Sequence, residues 1–294
     1  MPLTVKDIPV ALGIGADTIR QVTGTTGNAR KYILQHIEGE PEAPSVTSVV
    51  DGTLRNYGLE AWKASHISRG LASAEGKVLT PEIISSVLNA APEEASRAAL
   101  VGSELHTVID LMLQGDDVEV PVQLEPAIVA FNRWRSIHDW EYIDSEVAVY
   151  KCDPTTGVIY AGTIDALFKD EWGDFIIVDW KSSSGIYESA MLQVSAYADA
   201  LQTMLNSTIN TGNSNGSHYI ADDAREVPAL VKSMVVRFHN SYPVGDDGRR
   251  DRSQPKVFED KVEFAWVDQR YWEPFFLATY ALGTPAHAIE VNEL

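Results

Sequence analysis

Residues 162–181 read GTIDALFKDEWGDFIIVDWK. Two apolar-rich runs flank the polar cluster Asp170-Glu171-Trp172-Gly173-Asp174, which is the pattern of a β-hairpin. With the turn centred near Trp172, Asp165 and Asp179 fall opposite each other, because their numbers average to that position. Opposed residues on antiparallel strands hold their Cβ atoms roughly 4.5–5.5 Å apart, and two bare carboxylates at that separation repel. A cation between them resolves the conflict. Asp179 and Lys181 are two apart on a strand, so both side chains leave one face and Trp180 leaves the other. Phe175-Ile176-Ile177-Val178 is apolar on both faces and marks a central strand.

Upstream of this hairpin the pattern is helical. Ser45 caps a first helix, Gly58-Leu59-Glu60-Ala61-Trp62 begins a second towards Leu71, and Thr80-Pro81 starts a third over Glu82 to Ala90. A fourth runs from Pro92 to Gln114, with Val101, Leu105, Val108, Ile109 and Met112 on one face, and Gly115 ends it. A fifth, about Val122 to Trp140, carries Phe131, Trp134 and Ile137 inward. Residues 1–44 read as an irregular entry segment around one strand, Lys31 to His36.

After Trp140 the pattern turns to strands over Tyr142 to Lys151 and Val158 to Phe168, followed by the central strand. Tyr187 to Leu205 is an amphipathic helix, and residues 206–226 have no apolar period and read as an exposed or disordered loop. Val231 to His239 and Lys256 to Phe264 add two strands, and Val267 to about Leu282 a closing helix. The expected architecture is one α/β domain over 45–294. Its helical part is 45–140, its catalytic core about 100–200 and its C-terminal strands and helix 227–294.

The 294 residues are 45% hydrophobic, enough for a sizeable core. The start, Met1-Pro2-Leu3-Thr4-Val5-Lys6-Asp7, lacks the pattern of a signal peptide, and no apolar run reaches a membrane-spanning length of roughly 18 residues. The expectation is a cytoplasmic protein with no membrane partner. Net charge is −19, from 42 acidic and 23 basic residues, which disfavours a general-purpose nucleic-acid binder. A basic cleft in an acidic body still binds phosphate, but the acidic balance predicts binding that is weak without divalent metal and falls steeply with salt. The single cysteine, Cys152, excludes an internal disulfide and a self-contained four-cysteine cluster.

Two carboxylates, the carbonyl of Trp180 and water form a hard oxygen set suited to Mg²⁺ or Mn²⁺. A metal there polarises a phosphodiester and acidifies its bound water, while Lys181 either stabilises charge developing on phosphate or helps orient the nucleophile. This is metal-assisted phosphodiester hydrolysis. An isolated Asp-x-Lys is more often a solvated strand end, so the neighbouring motifs decide. Gly162 precedes Asp165 by three, Gln193 follows Lys181 by twelve, and Tyr197 lies one helical turn after Gln193. Gly102-Ser103-Glu104-Leu105-His106 places a histidine on the long upstream helix.

This ordered set resembles the core of the PD-(D/E)XK nucleases, and more specifically the RecB-like module, over about residues 100–200. The resemblance implies a restriction-endonuclease-like mixed sheet flanked by helices, with a helical N-terminal elaboration. It implies His106, Asp165 and Asp179 as metal ligands, to which the Trp180 carbonyl would add, Lys181 as the catalytic lysine, and Gln193 with Tyr197 as site-supporting groups that contact substrate or hold the lysine. Pro44-Ser45-Val46-Thr47-Ser48-Val49 followed by Gly58-Leu59-Glu60-Ala61-Trp62 looks like the lead-in of phage-encoded exonucleases of this type. With Cys152 alone, the chain looks closer to the group without an iron-sulfur cluster.

The implied activity is a Mg²⁺- or Mn²⁺-dependent DNA exonuclease of recombination, replication or repair in a bacterial or phage-infected host cytoplasm. Its partners would be single-stranded or duplex DNA ends and a recombination or single-strand-binding protein. The alternatives are a catalytically silent nuclease-fold DNA-binding or assembly protein, and a structure-specific or RNA-directed endonuclease. Glu146 is either an extra carboxylate at the rim or an exposed strand glutamate, and Ser182 either a phosphate contact or part of a simple turn. Arg133-Trp134-Arg135, Arg237 with His239, and Arg249-Arg250 with Arg252 are candidates for a DNA path.

Overall fold

The computed structural model describes residues 19–23, 30–35, 37, 39–54, 57–210, 230–252 and 254–283. A five-stranded sheet runs in the order β4-β5-β6-β7-β8, formed by Glu141–Asp153, Val158–Lys169, Phe175–Lys181, Val231–Ser241 and Val257–Trp266. Only the β6–β7 pair is parallel, so the sheet is mixed. Parallel neighbours need a crossover, and α5 (Glu188–Asn210) supplies it.

Strand β6 is the middle strand, and its residues from Phe175 to Trp180 are all buried. Side chains alternate along a strand, so β6 feeds two cores. Phe175 and Ile177 pack among residues of α1 (Val46–Thr53), α5 and α6 (Gln269–Gly283). Ile176, Val178 and Trp180 pack among residues of α3 (Pro81–Gln114) and α4 (Glu125–Ile137). The result is a three-layer arrangement of the expected α/β class, with no linker between the helical half and the sheet among the described residues. Trp180 is 2% exposed and meets Trp134 edge-on at 5.2 Å and Phe131 at 5.9 Å between ring centroids.

Local chemistry explains several boundaries. Ser45 caps α1 by accepting the Ser48 amide at 3.0 Å, and Thr80 caps α3 ahead of Pro81. Gly115 closes α3 at φ 86°, the left-handed conformation that glycine adopts without a Cβ penalty. Helix α2 (Tyr57–Ser73) packs against α3, with Gly70 opposite Val87.

Four readings change. The third and fourth expected helices are a single 34-residue helix that carries Pro92 in its interior. An interior proline costs about 3 kcal/mol through its missing donor and its ring. Here Val87 and Ala91 are buried before it and Leu105, Val108 and Ile109 after it, so packing on both sides overrides the local break. The fifth helix divides into a short 3₁₀ turn, Val122–Leu124, and α4, which ends at Ile137. Phe131 and Trp134 point inward as expected, but Ile137 is 65% exposed.

The entry segment holds three strands where one was expected, β1 (Ile19–Thr23), β2 (Arg30–Leu34) and β3 (Glu42–Pro44), paired antiparallel in that order. Their buried side chains Tyr32, Leu34 and Ala43 pack with Ala161 of β5. Helix α5 runs to Asn210, into the expected loop; 211–226 lie outside the described residues. No helix among the described residues is long and apolar enough to cross a membrane.

Candidate active site

The register of β5 and β6 places Ala166 opposite Val178 and Leu167 opposite Ile177. Carried one residue further, it sets Asp165 across from Asp179. On the other side, Ser145 faces Ala166 and Val147 faces Ile164, so Glu146 falls at the level of Asp165. The hairpin arithmetic therefore aligns carboxylates from three adjacent strands. Glu146 stands at φ 52° and is exposed at the rim.

These residues open onto a cavity of about 550 Å³, lined among others by His106, Glu146, Asp165, Lys181, Gln193 and Tyr197. Asp179 lies beneath it, 1% exposed. Lys181 Nζ is 2.7 Å from Asp179 Oδ2 and donates to Asp179 Oδ1 at 2.9 Å and to Gln193 Oε1 at 3.3 Å. Gln193 Nε2 in turn donates to the Tyr197 hydroxyl at 2.8 Å. One turn of α5 thus connects the lysine to a buried phenol. Asp165 Oδ2 accepts the Trp180 amide at 2.8 Å, and His106 Nδ1 approaches the same oxygen to 3.6 Å.

The charges do not balance. Burial pushes the Asp179 carboxyl above its ordinary value; the Lys181 charge opposes that shift and the Asp165 charge reinforces it. For Lys181, burial works against the ammonium, but Asp179 and Asp165 outweigh it and hold the lysine above its usual value. A single lysine thus faces the two acidic side chains, in direct contact with Asp179. Burial also raises the Tyr197 hydroxyl, so it stays protonated.

Gly162 explains itself through packing. A Cβ there would lie 2.1 Å from Cε1 of Tyr197, so only glycine lets the ring seat against β5. Gly102 is a second close approach, where a Cβ would meet Ser182 Oγ at 2.9 Å. Ser182 itself lines a second hollow on the far side of α3 rather than the Asp165 cavity.

Several expected DNA contacts are committed elsewhere. Trp134 is fully buried, Arg135 donates to the carbonyls of His138 and Trp140, and Arg133 pairs with Asp260. Arg237 is buried against Glu263 and the Ser183 carbonyl, and His239 lies 3.4 Å from Glu263. The sequence reading also missed cavity residues. Ser103, Thr107 and Asp110 share the helical face of His106, a signal available from their spacing. Tyr32, whose hydroxyl lies 2.9 Å from Thr163 Oγ1, arrives from the N-terminal sheet and had no local signal.

The profile of the PD-(D/E)XK nuclease superfamily matches residues 29–263. The chain belongs to this superfamily. A search of the curated proteins found no match.

Nucleases of this class typically use divalent metals. Among the described residues no group of three or more His, Cys, Asp and Glu side chains is gathered as a ready-made metal cluster. The chemistry of the donors nevertheless fits one. Asp179 Oδ2 is buried with the Lys181 ammonium 2.7 Å away but makes no hydrogen bond of its own, Asp165 stands across from Asp179, and His106 stands beside Asp165. Hard oxygen donors with an uncompensated negative charge suit Mg²⁺ or Mn²⁺.

Proposed function

We propose that the protein is a divalent-cation-dependent deoxyribonuclease that acts as an exonuclease on DNA ends. The observation that carries this reading is the convergence of Asp165, Asp179, Lys181 and Gln193 at one cavity, with His106 at its wall. Asp165, Asp179 and His106, with the carbonyl of Trp180, are the groups that would hold the cation. When bound, it supplies polarisation of the phosphodiester and a more acidic water.

The chain's own groups do the rest. Lys181, protonated and fixed between Asp179 and Gln193, offers its ammonium hydrogens to a phosphoryl oxygen as negative charge builds there. Gln193 sets the direction of the lysine, and its own amide is fixed by Tyr197. Glu146 at the rim is placed to orient water or a second cation. The exonuclease preference and a role in recombination, replication or repair, beside a single-strand-binding or recombination protein, are supported by the RecB-like order of the motifs.

The test is cleavage of end-labelled single-stranded and duplex DNA, circular DNA and RNA in Mg²⁺, Mn²⁺ or EDTA. Metal-dependent loss of linear DNA, absent in Lys181→Ala and Asp179→Asn, is the expected result. Cleavage of none of the substrates, or cleavage unchanged in both variants, sinks the reading. Cutting of circles would replace the exonuclease with an endonuclease.

A further inference from the structure

Beyond Lys181 the chain turns through Ser182-Ser183-Ser184, and these three residues line a hollow of about 560 Å³. Helix α3 separates it from the Asp165 cavity. Glu94, Ala98 and Val101 face this hollow, while Ser103, His106, Thr107 and Asp110 face the cavity. Between the two sets, Gly102 sits against Ser182. A smaller hollow, about 130 Å³, shares Lys181 with the cavity and Ser183 with the far hollow. The three form a series around the segment that carries the lysine.

The far hollow differs from the cavity in charge. Arg97, Arg252 and Lys256 line it, together with the half-buried ring of Trp62. The Arg252 guanidinium lies 5.9 Å and the Lys256 ammonium 5.4 Å from the centre of the Tyr242 ring. Among the described residues, none of these three cations makes an ion pair. Its acidic residue is already engaged, since Glu94 accepts the Tyr242 hydroxyl at 2.7 Å and lies 3.2 Å from His66 Nε2. In a chain of net charge −19, unpaired cations gathered around one concave surface mark a place for an external anion.

We propose that this hollow is a binding subsite for single-stranded DNA, holding the stretch that continues from the nucleotides in the Asp165 cavity. Arg97, Arg252 and Lys256 contact backbone phosphates, and Trp62 offers a face for a base, the combination by which proteins grip unpaired strands. Arg97 and His106 are nine residues apart on α3, roughly 14 Å along the axis, a span of a few nucleotides. The proposal rests on the nuclease reading for the identity of the strand, but its test is independent of cleavage.

The experiment is fluorescence anisotropy in EDTA with a labelled oligothymidine of roughly 12 nucleotides, within the range of known single-strand sites. The full chain is compared with the triple variant Arg97→Gln, Arg252→Gln, Lys256→Gln, whose fold is checked by thermal melting. Each lost phosphate contact lowers the log–log salt slope by about 0.7, so three lower it by about 2. Between about 50 and 200 mM salt the wild type should then lose roughly twentyfold more affinity than the variant.

Arg270→Gln, at an exposed arginine paired with Asp268, should bind as wild type. No measurable binding by wild type, an unchanged slope in the triple variant, or an equal loss with a blunt duplex overturns the subsite. A protein that shows the slope change yet cuts nothing in Mg²⁺ or Mn²⁺ keeps the subsite and loses the nuclease reading.

Discussion

The ring of Tyr197 rests on the backbone of Gly162 so closely that a Cβ at that glycine would come within 2.1 Å of Cε1. The contact fixes α5 over β5 and sets the height of the Gln193 and Lys181 chain above Asp165. Because Tyr197 is fully buried, its ring has nowhere to move. Gly162→Ala should therefore destabilise the fold by about 1–3 kcal/mol, the usual cost of overpacking. Urea melts measure the first effect, and a loss of cleavage exceeding the unfolded fraction measures the displaced lysine.

Removing the lysine and removing its holder should differ in degree. On the proposed reading Lys181→Ala loses the group that meets the developing charge, with an expected fall in kcat of about 10²–10³, the scale for a lost transition-state donor. Gln193→Ala leaves the ammonium in place on Asp179 and should fall by a smaller factor, with KM little changed. Single-turnover cleavage of labelled DNA separates the two, and equal losses would contradict the positioning role of Gln193.

Asp179→Asn should trade activity for stability. It removes one of two carboxylates competing for a single ammonium in a buried setting. A gain of about 1 kcal/mol would raise the melting temperature by roughly 2–4 °C in a domain of this order of size. Added Mg²⁺ should raise the melting temperature of the wild type, because a ligand of the folded state stabilises it. The variant should lose that response.

His66 predicts a pH dependence outside the site. Burial lowers its pKa in the folded chain; Glu94 opposes the shift and Arg69 adds to it. The unfolded chain, with an ordinary histidine near ~6.5, then binds more protons as the pH falls. Stability is full above that value and declines below it, towards the lowered folded-state value. His66→Gln should flatten the melting-temperature profile between about pH 7 and 5.

Lys151 donates to both oxygens of Asp199, at 2.9 and 2.7 Å, and Tyr160 donates to the same carboxylate. Burial and the Asp199 charge hold the Tyr160 hydroxyl far above its usual value. Lys151→Met would strand a nearly buried carboxylate, a change that typically costs about 3–5 kcal/mol. Denaturant titration reads this directly.

How much of this was legible follows from what each inference needed. The Asp165 and Asp179 alignment came from turn symmetry, and the inward and outward faces of β6 from parity. The order and spacing of motifs point to His106, Gln193 and Tyr197, and the structure brings all three to one cavity. Local chemistry failed where tertiary packing decides. Pro92 stays inside a helix anchored on both sides, and Trp134 between two arginines is the centre of an aromatic core. Tyr32 reaches the site from a strand 131 residues before Thr163, a proximity that no local pattern encodes.

Strand β6 supplies the site from one face and the aromatic core from the other, with Asp179 and Lys181 on either side of Trp180 along the chain. A slip of one residue would exchange the faces, driving two charges into the packing of Trp134 and Phe131 and an indole among carboxylates. Misassembly would thus be punished twice, in solvation and in fit. Proofreading of the site's geometry is delegated to folding itself, so a chain that reaches its compact state arrives with the lysine already in place.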